Sequence, residues 1–391
     1  MEKNSDTEIA DFSLAKAIPF QGFFRRLGFL NSSTKPYRNR VLVMVMVTWS
    51  PLLLLAILQG VAFGNKVELT FLKDFALHIR FLVLIPLFLV SEKIVDARLK
   101  ELTNQFFKAG ILANGDLPQY DVIKNRIRAL SQSIVPDLVI LLIVVVNAII
   151  KWNLKSNDVT YWVVIPGDTG TISWAGIWLG ALSLPLFQYL MLDWIWRWIL
   201  WFLYFIKIAK LPLKLNPAHP DQCGGLGFLG MPPAPFLSVN FALAILFASV
   251  IAERVFFLHQ KLPEYYPLIG GFAVFSILFN VLPLLVFMKP LVKLRKRGLL
   301  KYSALIQEHH RKFDEKWLNK TNEESLLGNP DASSMADINS NYVTVMSMQI
   351  VPFNLKIMFS SIVITVLPLL PLFAFEYNLI DLIKKLAGML V

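Results

Sequence analysis

A single cysteine, Cys223, stands in a chain of 391 residues. One thiol excludes an intramolecular disulfide framework and any metal site built from several thiolates. The five histidines (His78, His219, His259, His309 and His310) are too scattered for metal-ligand spacing, so neither a metal nor a cofactor is expected. Charge is short as well, at 17% of residues, where soluble domains carry about a quarter. HExxH, a Walker A lysine loop, GxSxG and a pair of intramembrane aspartates are all missing. Those absences remove the signatures of zinc proteases, P-loop nucleotide hydrolases and serine hydrolases. The first forty residues carry charges throughout and lack the apolar core of a signal peptide. Within them "FSLAKAIPFQGFFRRLGFL" mixes aromatics with Lys16, Arg25 and Arg26, which reads as a helix lying in the headgroup layer.

Apolar residues are abundant instead, at 55% with a mean hydropathy of +0.56. They gather in blocks of around twenty, the length that crosses a bilayer as a helix. The expected fold is an all-α integral membrane protein with seven transmembrane helices. The crossings fall at 41–63, 75–92, 134–150, from Ile172 onward, 236–256, 267–288 and 354–375.

The net charge of +11 follows the connections between these blocks and does not point to nucleic acid. The first forty residues hold seven Lys/Arg, 97–133 six, 207–235 three and 290–352 nine. The alternate segments 64–74, 151–171, 257–266 and the tail hold at most two each. Basic residues stay on the cytoplasmic side, which predicts the N-terminus in and the C-terminus out. The chain then divides into an interfacial segment 1–40, spans one to six over 41–288, a cytoplasmic helical segment 289–352, span seven at 353–375 and an external tail 376–391.

The fourth apolar block runs from Ile172 to about Ile208, roughly 55 Å as a helix against a hydrocarbon core of about 30 Å. A hairpin would leave almost no turn residues near Asp193, so one long helix, or a helix plus an interfacial extension, is expected. Asp193 and Arg197 form an i,i+4 pair beside Trp194, Trp198 and Trp201, which share one face. The tryptophans fit an interfacial belt, or a protruding half-helix packed on other cytoplasmic helices. In 290–352, Tyr302, Leu305, Ile306, His309, Phe313 and Trp317 form a helical stripe, and a second helix follows over "MADINSNYVTVMSMQIVP". Asn329-Pro330-Asp331 breaks the two, and "DARLKELTNQFFKAGIL" adds a third helical stretch.

The stretch "HPDQCGGLGFLG", His219–Gly230, joins spans four and five. Gly225–Gly230 formally matches GxGxxG, but a membrane helix precedes it and "MPPAP" follows, so the βαβ context of a dinucleotide site is missing. One reading is a structural turn, in which Pro217 and Pro220 fix the path, Asp221 caps backbone N–H groups and the glycines allow positive φ. Asp331 in "NPDASS" looks like the same device. Other readings are a ligand or gating loop formed by His219, Asp221, Gly224, Gly225 and Gly227, or acid–base chemistry by His219 and Asp221.

"HPDQCGGLGFLG", the Trp-rich helix before it and "LLGNPDASSMADINSNY" resemble a family of uncharacterised bacterial multi-pass membrane proteins from about Leu190 onward. That resemblance implies a bacterial inner membrane and supplies no catalytic residues. In layout alone the chain is similar to the seven-span insect chemoreceptor ion-channel superfamily. That similarity implies a cytoplasmic oligomer anchor near Trp317 and Tyr342, with Ser361 and Thr365 facing a pore.

Polar residues inside spans are functional suspects by default. Ser276 and Asn280 in span six, and Lys356, Ser360, Ser361 and Thr365 in span seven, are candidates to line a path. Lys356 also fits snorkelling to the interface, and the hydroxyls fit helix–helix hydrogen bonding. The expectation is a channel- or transporter-like homo-oligomer in contact with the bilayer, its transported species open. The alternatives are an inner-leaflet enzyme on a lipid-type substrate using His219 and Asp221, and a non-catalytic envelope scaffold.

Overall fold

The computed structural model describes residues 14, 36–64, 67, 69–153, 162–164, 171–257, 259–319 and 328–376. The headgroup helix expected near the N-terminus and the tail after 376 lie outside the described residues. Nine long helices follow in chain order. They are α1 (Arg38–Leu58), α2 (Phe75–Lys108), α3 (Leu117–Ile150), α4 (Trp174–Ile208), α5 (Leu237–Phe257), α6 (Leu262–Val281), α7 (Met288–Phe313), α8 (Pro330–Met346) and α9 (Leu355–Glu376). All but α7 and α8 are long and apolar enough to cross a membrane, giving the seven spans expected. Among the described residues no strand forms, and Val164 and Ile172 make one isolated bridge. The protein is a multi-pass membrane protein. The second half of α3 leaves Leu138, Leu142, Val145 and Ile149 exposed, a face that lipid accepts and water does not.

Two helices overshoot the bilayer and a third begins outside it. At 34 and 35 residues, α2 and α4 reach roughly 50 Å each, and α3 carries a first segment of 16 residues, Leu117–Gln132, ahead of its span. Their excess lies at one end of the bundle, where it builds a platform with α7 and α8. The stretch expected as a separate helix around "DARLKELTNQFFKAGIL" is therefore the continuation of α2 to Lys108. In α3 the chain breaks at Ser133, whose ψ of 144° is extended, and the part before the break lies along the end of α4. There Phe107 meets buried Tyr120 edge-on at 4.9 Å.

α4 is one long helix, as its length demanded. Its tryptophans are not a lipid-facing belt: Trp194 and Trp201 are buried, and Trp198 stacks on Phe279 at 5.1 Å while its indole N–H donates to the Phe279 carbonyl at 2.8 Å. Trp194 meets Phe236 ahead of α5 edge-on at 6.2 Å, so these rings find partners within the bundle. In both α2 and α4 a π turn (Ile79–Leu84 and Leu179–Ser183) precedes a Pro-Leu-Phe sequence, and the two phenylalanines, Phe88 and Phe187, meet at 6.3 Å. The π turn absorbs the helix hydrogen bond that proline removes.

The sixth span stops at Val281 rather than 288, because Pro283 cannot continue the ladder and a short 3-10 turn, Leu284–Phe287, takes over. α7 and α8 then form an antiparallel hairpin. The stripe Tyr302, Ile306, His309, Phe313 and Trp317 is half-buried in it, whereas Leu305 remains 48% exposed. Asn329 caps α8 by accepting from the Asp331 N–H at 3.0 Å. Asp331, expected to be the cap, instead accepts from Lys316 Nζ at 2.9 Å and Trp317 Nε1 at 3.2 Å, tying the hairpin shut.

Candidate functional site

The connection from α4 to α5 is organised around one carboxylate. Asp221 Oδ1 accepts from the N–H groups of Cys223 at 2.8 Å and Gly225 at 3.1 Å, and Oδ2 accepts from Gly227 at 2.7 Å. His219 Nδ1 lies 2.8 Å from Oδ1. Burial would raise this carboxyl, yet the donors of Cys223, Gly227 and Gly225, with His219 beside them, hold it below its ordinary value. Gly224 and Gly225 sit at φ of +67° and +95°, which a side chain disfavours. Gly227 must be glycine for a different reason: a Cβ there would come within 2.9 Å of the carboxylate that its N–H binds. The sequence pattern thus gives a turn whose organising oxygens are occupied, and acid–base chemistry at Asp221 would have to dismantle it.

This turn is a hub. The Gln349 N–H donates to the Gln222 carbonyl at 2.7 Å, and Lys214 N–H to Ile111 O at 2.9 Å. Arg98, on the overshoot of α2, donates to the carbonyls of Met231 at 2.9 Å and Pro233 at 3.2 Å. Gly298 of α7 is packed against Pro217, and Gly230 against the backbone of Pro352 and Phe353 at the entry to α9. The loop therefore touches α2, the α2–α3 turn, α7 and the start of α9.

A second cluster lies inside the bundle where α5, α6 and α9 meet. Asn240 Nδ2 donates to Ser276 Oγ at 2.7 Å, and Ser276 Oγ to the Ser361 carbonyl at 3.1 Å. Asn280 Nδ2 donates to Ser276 O at 3.1 Å and Ser361 Oγ at 3.0 Å, and Thr365 Oγ1 donates to Ser361 O at 3.0 Å. Asn240, Ser276, Asn280, Ser361 and Thr365 are all buried. The expected path-lining residues Ser276, Asn280, Ser361 and Thr365 are thus brought together in a buried knot fastening three helices, in which Asn240 Oδ1 and Asn280 Oδ1 accept no hydrogen bond from the described residues. Within one copy Ser361 and Thr365 are buried against α5 and α6. Lys356 is exposed, and Ser360 is half-buried with its hydroxyl donating to Ile357 O at 2.9 Å.

A third cluster holds charge. Arg197 Nε donates to Asp193 Oδ2 at 2.8 Å and Nη2 to Glu92 Oε1 at 2.9 Å, while Arg40 Nη1 lies 3.0 Å from Glu92 Oε2. Asp193 and Arg197, expected as an interfacial pair, are 6% and 5% exposed, and the guanidinium rests 4.9 Å from the Trp194 ring. Two cations and two anions balance across α1, α2 and α4, which is what burial of charge requires. Sequence reading missed Arg40, Glu92 and Asn240. The signal for Glu92 and Asn240 was that each is a polar residue within an apolar block, with no local partner at helical spacing.

Among the described residues no three His, Cys, Asp or Glu side chains gather as a metal site would need. No protein-family model matches the chain, and no curated protein or solved structure matches it either.

Proposed function

We propose that the protein is a channel-like homo-oligomer of the bacterial inner membrane, with its platform in the cytoplasm and its conducting path between copies. The orientation rests on the Lys/Arg bias, because the platform end receives the basic connections. The observation that carries the path is the two-sidedness of α9. Its inner face is fastened by Ser361 and Thr365, while Leu355, Lys356, Phe359, Val363, Val366 and Leu370 form one exposed face along its length. The polar residues of α6 and α9 are bonded mainly to one another, which favours a path between copies over one inside a single copy. Copies arranged around α9 would place a ring of Lys356 at the cytoplasmic mouth and an apolar constriction at Phe359 and Val363. Lysine rings favour anions, and apolar constrictions gate by dewetting. The hub supplies the link from α7 and α8 to the start of α9.

Planar-bilayer recording of the purified protein tests this reading. Anion-preferring conductance is expected, with reversal potentials moving toward cation preference in Lys356→Glu. No conductance from folded protein, or a single copy per lipid nanodisc, would overturn it.

A further inference from the structure

At the end of the bundle away from the platform, a cleft of about 590 Å³ opens between α4, α5 and α6. Its volume lies inside the range of about 300–1,000 Å³ that small-molecule sites occupy. Met191 and Ile195 of α4 close one wall, and buried Ile251 forms part of the floor. Phe247 and Phe272 stack face to face across α5 and α6 at 4.3 Å with their planes 6° apart. Leu268 and Phe275, on the α6 side, are 55% and 43% exposed, so the cleft opens sideways from the bundle, where the bilayer lies.

The lining is apolar except at one end, where Arg254 stands on the last turn of α5 with Tyr265 opposite. The tyrosine hydroxyl is committed to Gln260. Arg254 is exposed and its guanidinium makes no ion pair or hydrogen bond among the described residues. Exposed Lys261 follows in the turn to α6. The acid beside it, Glu253, is half-buried and does not line the cleft.

We infer that this cleft is a binding site for one anionic phospholipid, its acyl chain along Phe247, Phe272 and Leu246 and its phosphate on Arg254. An apolar slot with a single cation at the headgroup level matches an acyl chain ending in a phosphodiester, and a guanidinium binds phosphate oxygens in pairs. The fit is one of charge as well as shape, since a zwitterionic headgroup brings its own cation to the same place. The site is independent of the oligomeric path, because α9 contributes none of its lining.

Native mass spectrometry tests it, on the full chain purified from vesicles containing equal phosphatidylglycerol and phosphatidylcholine with identical acyl chains. Retention of one phosphatidylglycerol per copy is expected. Arg254→Gln lowers the preference for it over phosphatidylcholine about tenfold, the loss of one charge-assisted contact. Leu246→Trp fills the slot and lowers retention of both lipids, with Arg254 intact. Equal retention of the two lipids by the unmodified chain, or retention unchanged in both variants, overturns the assignment. So does a disulfide between copies through Leu268→Cys, which would put a second copy in the cleft.

Discussion

Gly230 lies flat against the entry to the last helix: a Cβ on it would come within 2.6 Å of Phe353 Cα and 2.5 Å of the Pro352 carbonyl oxygen. Both obstacles are backbone, so neither can swing aside as a side-chain tip would. Gly230→Ala therefore drives a wedge between the hub and α9. A loss of about 1–3 kcal/mol is expected, the usual cost of overpacking, read as a lower thermal midpoint in detergent. In bilayer recordings the same variant is expected to alter open probability without changing ion preference, since Lys356 is untouched.

Asp221 serves its loop as an anion. Its folded value is depressed by the surrounding N–H donors, so its contribution is complete above the unfolded aspartate value near 3.9 and is lost as pH falls through the lower folded value. Asp221→Asn puts an amide N–H₂ where one of those donors needs an acceptor. The expected cost is about 2 kcal/mol at neutral pH. Proteolysis between α4 and α5, followed from pH 6 down to pH 2.5, checks both points. The unmodified loop becomes susceptible in the acid range, whereas Asp221→Asn is susceptible throughout.

Glu92 bridges Arg197 and Arg40. Glu92→Gln leaves the buried Arg197 guanidinium with the single charge of Asp193 and takes a carboxylate partner from half-buried Arg40. Removal of one partner from a buried pair costs about 3–5 kcal/mol, enough to lower the yield of folded protein severalfold. Its neighbour Lys93 is exposed, and Lys93→Gln is expected within about 0.5 kcal/mol of the unmodified chain. Denaturation in mixed micelles distinguishes the two.

The polar knot is expected to be dry. In a Cys223→Ser background, the thiol introduced by Asn280→Cys should resist a charged methanethiosulfonate reagent, while that of Lys356→Cys reacts. Rapid reaction at position 280 would mean that water reaches the junction of α5, α6 and α9.

Orientation has its own check. A membrane-impermeant maleimide applied to intact cells should label Lys261→Cys and spare Lys296→Cys on exposed α7, again with Cys223 replaced. The reverse pattern would invert the protein in the membrane.

The seven spans and the length of α4 were legible because hydropathy is summed along a local window, and so was the stripe of α7, which repeats every three to four residues. The hidden part is what distant segments do to one another. Asp193 and Arg197 announce themselves at helical spacing, but Glu92 stands in another span, and only the folded bundle brings its carboxylate to 2.9 Å from Arg197. Trp194 and Trp201 have the composition of a membrane belt, yet the folded bundle buries them. Ser361 and Thr365 looked able to face water, since a sequence shows that a face is polar without showing whether another helix claims it. The hub was legible in part: its glycines and prolines marked a turn, while its contacts with α7 and α9 involve residues more than fifty positions away.

Cys223 gives the molecule a natural reporter. Its sulfur is buried near the Val351 carbonyl at 3.6 Å, and burial together with the Asp221 charge pushes the thiol up to about 11, so at neutral pH it is protonated and sealed. Any excursion that parts the loop from the strap ahead of α9 would unseal it and raise its alkylation rate. The chain thus carries an intrinsic clock for how often that junction opens, readable without mutation or dye.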